Sequence, residues 1–345
     1  MNKLKNHIMV LKILLIFLVE LIYYIFLCSL FKIFQKKTNN NGIEILFISV
    51  EKSNGIKLRD NIILENLIND LNLKHFFFFQ DKYKYFRNIK IINKVIKLNP
   101  KSIFFLSDYQ KKYDNSLALF LSIKLIFKTR IISNSSDAEW SINYFRVKLA
   151  KKLFDFVLFS PFYYSKKNKK IKKFVELGMS NNNYFYNPNR ERKIDVSFIG
   201  RVKNMPDRLE YLNYFEKNNL NINKYGIDFN KYLTYEDYQN ILIQSKIVIN
   251  FSKATKGAST KYQIKGRIYE AISSGALLLD QKNKWTNLFF RENIDYISFK
   301  SKEEALIKIK DILLNYDKYI NITLSAQKKL ANYSSHKMMA NILKN

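Results

Sequence analysis

Lys265 to Asp280 reads KGRIYEAISSGALLLD. Two cations, Lys265 and Arg267, open the stretch and an acid, Glu270, follows. Small residues come next (Ala271, Ser273, Ser274), then Gly275, then the apolar run Ala276 to Leu279. That order predicts a helix, a glycine C-cap and a buried strand. Arg267 and Glu270 stand three apart, so a helix puts them side by side on one face. Two readings of that pair are open: an ion pair on a solvated helix, or charges gathered where a ligand sits.

Working outward, the flanking segments alternate in the same way. Ile194 to Ile199 (IDVSFI) reads as a strand ending at Gly200-Arg201, and Asp207 to Lys217 as a helix. Ile222 to Tyr225 reads as a short strand, and Thr234 to Gln244 as a helix opened by a Thr-x-x-Asp cap (Thr234, Asp237). Lys246 to Phe251 (KIVINF) is a strand, and a polar loop leads into a helix over Lys261 to Ser274. Asp295 to Phe299 is a strand. Ser301-x-x-Glu304 is a capping box opening a helix to Leu314, with helix again from Ile320.

The first half alternates too. Strands are expected at Glu44–Val50, His75–Phe79, Ser102–Leu106, Arg130–Ser133 and Phe156–Phe159. Helices are expected over Leu58–Leu71, Lys82–Leu98 and Leu117–Phe127. Such alternation implies parallel sheets covered on both faces. Between the halves lie SKKNKKIKK (Ser165–Lys173), Asn181-Asn182-Asn183 and Asn187-Pro188-Asn189, which are linker and turn signals. The expected organisation is therefore α/β. It has an N-terminal helix within residues 1–37, then two tandem Rossmann-like doubly wound domains over 43–185 and 190–345.

Ile13 to Phe31 is almost wholly apolar, interrupted by Glu20, about 28 Å of helix and close to a bilayer's hydrocarbon thickness. Lys3 and Lys5 precede it, and Lys32, Lys36 and Lys37 follow. This reads as a single membrane anchor. The alternative is a helix lying in the interface with Lys12 and Glu20 on its wet side. KTNNNG (Lys37–Gly42) reads as a linker.

The formal charge is +30, from 59 Lys and Arg against 29 Asp and Glu, so anionic partners are favoured. Much of that excess accompanies a chain rich in Lys, Asn, Ile, Tyr and Phe, so only local clusters carry an argument. The lone cysteine, Cys28, rules out intramolecular disulfides. With three histidines (His7, His75, His336) and no HExxH or paired-Cys motif, a His/Cys zinc site is not expected. Neither GxGxxG, nor a Walker A pattern, nor a GxSxG elbow occurs.

Doubly wound sheets bind ligands beyond the carboxyl ends of their strands. In the second half those ends carry Gly200-Arg201, the basic loop Ser252–Thr260 (SKATKGAST), and Asp280 onward. A glycine turn lets backbone approach a phosphate, and a helix start offers free N–H groups to an anion. Lys265, Arg267 and Glu270 follow that loop.

Taken together, IDVSFIGR (194–201), Arg208-Leu-Glu-Tyr-Leu, SKIVINFS (245–252), GRIYEAISSGALLLD (266–280) and LFFRENIDYISFKSKEEALIKI (288–309) resemble the C-terminal domain of GT-B glycosyltransferases. The resemblance, which extends to Tyr333–His336, is greatest to the CgeB-like branch of the group 1 family. The first half is similar only in its pattern and position. The resemblance implies transfer of a sugar from a nucleotide-diphospho-sugar to an acceptor, with no cofactor and no metal. No Asp-x-Asp, the mark of the metal-dependent GT-A alternative, is present. Carried over, Glu270 matches the acid that holds the donor ribose. Gly200, Arg201, Lys265 and Arg267 match positions around the diphosphate, where fixed cations favour the charge of the leaving group.

Many relatives with retaining chemistry carry a further acid eight residues before the position of Glu270, where this chain has Tyr262. A catalytic base is then expected from the first domain, with Asp108, Asp137 and Glu139 as candidates. Each also reads as an ordinary loop or cap acid. The anchor suggests membrane lipid and a surface-glycan or lipid-linked acceptor as partners, with the catalytic domains cytoplasmic. Two rival readings remain: a non-catalytic assembly protein that keeps the fold, and a basic nucleic-acid binder built on SKKNKKIKK and its aromatic flanks. No nucleic-acid module is recognisable, so nucleic acid is not an expected partner.

Overall fold

The computed structural model describes residues 2–33, 43–49, 72, 74–79, 84–106, 116–135, 152–159, 171–173, 191–203, 205–231, 233–253 and 265–331. The chain divides into two compact units, Met1–Phe174 with Ala340–Asn345, and Val175–Met339.

In the second unit, among the described residues, five strands form: β7 (Ile194–Ile199), β8 (Asn223–Tyr225), β9 (Ser245–Asn250), β10 (Leu277–Gln281) and β11 (Ile297–Phe299). All pair in parallel, in the order β11-β10-β9-β7-β8. The helices are α4 (Pro206–Lys217), α5 (Tyr235–Gln244), α6 (Gly266–Ser273), α7 (Lys302–Leu314) and α8 (Tyr316–Leu330). Strand side chains alternate between faces. Accordingly, Ile199, Val248 and Leu278 pack with α5, α6 and α8, whereas Val196, Phe198, Ile247, Ile249 and Leu277 pack with α4 and α7. Both faces are covered, as the near-continuous apolar runs require.

The first unit has α1 (Asn2–Ile33), α2 (Lys84–Leu98) and α3 (Leu117–Phe127). Its strands are β1 (Ile45–Ser49), β2 (His75–Phe79), β3 (Ser102–Leu106), β4 (Arg130–Ser135), β5 (Phe156–Phe159) and β6 (Ile171–Lys173). They form a parallel sheet ordered β2-β1-β3-β4-β5-β6. The core joins Leu46, Ile48, Ile103 and Phe105 of the sheet to Ile91, Ile92 and Val95 of α2 and Leu119, Phe120 and Ile123 of α3.

Several expectations change. Within SKKNKKIKK, Ile171–Lys173 is strand β6, pairing with β5 at the sheet edge, where lysines are common because they blunt further pairing. Helix α8 begins at Tyr316, earlier than Ile320, because Asn315 closes α7 and opens α8. The cap at Ser301 is half of a capping box. Its hydroxyl accepts from Glu304 N–H, but the Glu304 carboxylate reaches Lys300 N–H instead of Ser301 N–H. Glu20 does not lie on a wet side, since its carboxylate accepts a 2.6 Å hydrogen bond from the Ser116 hydroxyl at the start of α3. The helix expected over Leu58–Leu71 and the KTNNNG linker lie outside the described residues.

Candidate active site

Chain order around β7 decides where a ligand can sit. From β7 the chain passes through α4 to β8 on one side, then through α5 to β9 on the other. The carboxyl ends of β7 and β9 therefore flank a topological switch point, where neighbouring connections diverge and leave a crevice. Gly200 and Arg201 follow β7 there; Phe251, Ser252 and Lys253 follow β9.

The β7 end is shaped by two glycines. Gly200 N–H donates to the Tyr225 carbonyl at 2.9 Å, drawing the ends of β7 and β8 together. Gly226 adopts φ +129°, and a Cβ there would lie 2.6 Å from the Gly200 carbonyl oxygen. Only glycine satisfies both conditions. Asp228 then ties down the turn after β7, accepting from Val202 N–H at 2.7 Å and Lys203 N–H at 2.8 Å. Those backbone bonds hold its carboxyl below the ordinary value. A cavity of about 680 Å³ opens beside this turn, lined by Val202, Met205, Leu209, Ile227, Asp228 and Asn230 among others.

Helix α6 brings its charges to the same place. Lys265 is its N-cap and not part of the helix, because the extended backbone there (φ −94°, ψ 146°) ends at Gly266. Arg267 lies across the β7 end. Its guanidinium nitrogens would be 3.4 Å from a Cβ on Gly200, and its carbon is 5.9 Å from the Phe198 ring centroid. Glu270, one turn on, is buried at 1 % exposure and accepts a hydrogen bond from the Tyr238 hydroxyl of α5. The solvated ion-pair reading of Arg267 and Glu270 therefore fails. The helix ends at Gly275 (φ 75°) in a Schellman motif, with Gly275 N–H to Ile272 and Ala276 N–H to Ala271.

Sequence reasoning did not assign Arg208 a role. On the first turn of α4 it is buried and donates to the carbonyls of Arg201 (3.0 Å), Phe251 (3.3 Å) and Lys253 (3.4 Å). One guanidinium thus binds the segments following β7 and β9 to each other. Burial, and then the positive charge of Arg267, lower its pKa to about 10, so it stays charged at neutral pH. Two guanidinium charges held at a switch point favour an anion. The available signal was an arginine seven residues after Arg201, on the first turn of the next helix.

A second polar cluster occupies the end of β10. Buried Asp280 accepts from Asn250 (2.8 Å), Ser252 (2.7 Å), Asn283 (3.0 Å) and Thr286 (2.7 Å). Burial pushes its carboxyl up to about 6 despite those four bonds, which pull the other way.

The structure therefore brings together Gly200 and Arg267, with Glu270 one turn along the same helix. It leaves Arg201 exposed, with its carbonyl held by Arg208. Asp108, Asp137 and Glu139 lie outside the described residues, as do Tyr262 and most of SKATKGAST.

Two tandem parallel α/β units of this kind constitute the GT-B glycosyltransferase fold. More particularly, residues 185–344 match the family described as Glycosyl transferase-like. Among solved structures, the chain is similar to HepE of Anabaena in complex with UDP and glucose (TM-score 0.57, 12% identity, 88% of this chain and 99% of that one). It is similar to a glycosyltransferase from Rickettsia africae (TM-score 0.53, 13% identity, 88% and 98%). It is also similar to the sucrose-phosphate synthase of Thermosynechococcus elongatus (TM-score 0.58, 9% identity, 88% and 98%). No curated protein sequence matches the chain.

Proposed function

We propose that this protein is a metal-independent GT-B glycosyltransferase. It would move a hexose from a nucleotide-diphospho-sugar to a surface-glycan or lipid-linked acceptor at the cytoplasmic face of a membrane. The observation that carries the reading is the pairing on α6: Arg267 against Gly200 at the switch point, with Glu270 buried one turn on. In this reading Glu270 accepts hydrogen bonds from the donor ribose. Arg267 and Lys265, with Arg201, face the diphosphate, and Arg208 holds the two segments that shape its seat. As the glycosidic bond breaks, negative charge grows on the diphosphate, and cations fixed beforehand lower the barrier. A relative's complex with UDP-glucose supports a nucleotide-sugar donor. The absence of Asp-x-Asp supports metal independence. The catalytic base is proposed among Asp108, Asp137 and Glu139.

A nucleotide-sugar hydrolysis screen, run beside thermal shifts with UDP, GDP, ADP and CMP, tests the proposal. Turnover of one donor that disappears in Glu270→Ala and Arg267→Ala is expected. A nucleotide-induced rise in Tm without turnover of any donor would favour the non-catalytic assembly protein. A shift with RNA alone would remove the donor site.

A further inference from the structure

From Ile13 to Phe31 helix α1 is apolar on nearly every side, a pattern that belongs to a helix buried in a core or set in a membrane. Here the two halves of its surface have different fates. Phe17, Leu21, Tyr24, Cys28 and Phe31 fall on one stripe and join the core of the first unit against α2 and α3. Polar bonds reinforce that seat. Asn88 of α2 donates to the Tyr24 hydroxyl, Ser116 donates to Glu20, and the Lys32 ammonium donates to the Ile126 carbonyl at 2.8 Å. The opposite stripe, Leu11, Leu15, Leu18, Val19, Ile22 and Phe26, is exposed, with every one of the six at least half open to solvent.

We propose that α1 stays docked on α3 and lies in the plane of an anionic lipid surface, its outer stripe in the headgroup and acyl boundary. Leu14–Ile33 is long and apolar enough to cross a bilayer. Crossing, however, would take α1 out of the core it shares with α2 and α3, and carry Glu20 away from Ser116 into hydrocarbon. An in-plane position keeps every inner contact and still removes the outer stripe from water. A contiguous apolar row of this length is rarely left open on a soluble monomer. Charge selects lipid over a second copy of the chain. Each copy carries a formal charge of +30 and repels another, whereas the same excess, with exposed Lys12 on α1 itself, is drawn to anionic headgroups.

The inference rests on the membrane part of the proposed function and not on the donor reading. Its test contains no sugar nucleotide, so its failure leaves the donor site as it stood. The full chain is floated with vesicles of phosphatidylcholine, with or without phosphatidylglycerol. Leu15→Cys, Ile22→Cys and Phe26→Cys, each in a Cys28→Ala background, carry a fluorophore quenched by brominated lipids. The expected result is flotation at least about tenfold stronger with the anionic lipid, one shallow depth at all three positions, and release by Ile22→Glu with an unchanged circular dichroism spectrum. A label shallow at Leu15 and deepest at Ile22, near the middle of the apolar run, would show a spanning helix and overturn the in-plane placement. A concentration-dependent dimer broken by Ile22→Glu, with no flotation, would assign the stripe to a second copy. Absence of both flotation and dimer would sink the membrane reading itself.

Discussion

The Tyr238 hydroxyl of α5 donates a hydrogen bond to the Glu270 carboxylate of α6. A buried carboxylate is costly unless donors surround it, so Tyr238 helps hold Glu270 ready for a ligand's hydroxyls. We expect Tyr238→Phe to cost about 1–2 kcal/mol of stability, read from denaturant melts, with UDP affinity nearly unchanged. We expect Glu270→Gln to weaken UDP about tenfold by titration calorimetry. Wild-type UDP binding by Glu270→Gln would remove the ribose role.

Gly226→Ala should destabilise the second unit by about 3 kcal/mol. Its φ of +129° is hostile to any Cβ, and the new methyl would press on the Gly200 carbonyl. Thermal unfolding measures this. A loss well under 1 kcal/mol would mean that the β7 and β8 ends separate easily.

Arg208→Lys keeps the charge but not the planar fork that reaches three carbonyls. The expected outcome is a stability loss of about 1–2 kcal/mol together with weaker binding of UDP and of pyrophosphate. Unchanged binding of both would separate Arg208 from the anion seat.

Two buried carboxylates should bend the stability profile in opposite directions. Asp280 has a folded-state value near 6 against an ordinary 3.8. Between those values the folded protein holds a proton that the unfolded chain has released, so stability falls as pH rises from about 4 to 6, by up to about 3 kcal/mol. Asp295 behaves inversely. Burial alone would raise its carboxyl, but hydrogen bonds from Arg291, Ser325 and Lys329 outweigh that and lower it. Its contribution is present above the ordinary carboxylate value and lost as pH falls below about 4. Urea melts from pH 3 to 7 on wild type, Asp280→Asn and Asp295→Asn resolve the two. The slope between pH 4 and 6 should vanish only in Asp280→Asn.

Local chemistry made most of the fold legible. His75–Phe79, Ser102–Leu106, Leu117–Phe127 and Ile194–Ile199 have in the structure the bounds expected of them, because each is a largely apolar segment bounded by polar residues or glycine. The Thr234–Asp237 capping box forms as its spacing required. Turns were harder to see, because asparagine does work more often done by glycine. Asn99, Asn219, Asn230 and Asn293 all take left-handed backbone. Arg208 was hidden for a different reason. Its partners are backbone carbonyls, two of them more than 40 residues away, and carbonyls leave no mark in a sequence. Glu20 misled because a charge in an apolar helix is read against water, whereas its partner, Ser116, lies 96 residues away.

Cys28 lies at 0 % exposure on the inner stripe of α1, and it is the only thiol in the molecule. A thiol reagent in solution reaches it only when the α1–α3 contact opens. The rate of modification therefore counts those openings, and its dependence on denaturant separates a local lifting of the helix from global unfolding. The wild-type chain carries its own clock for that contact.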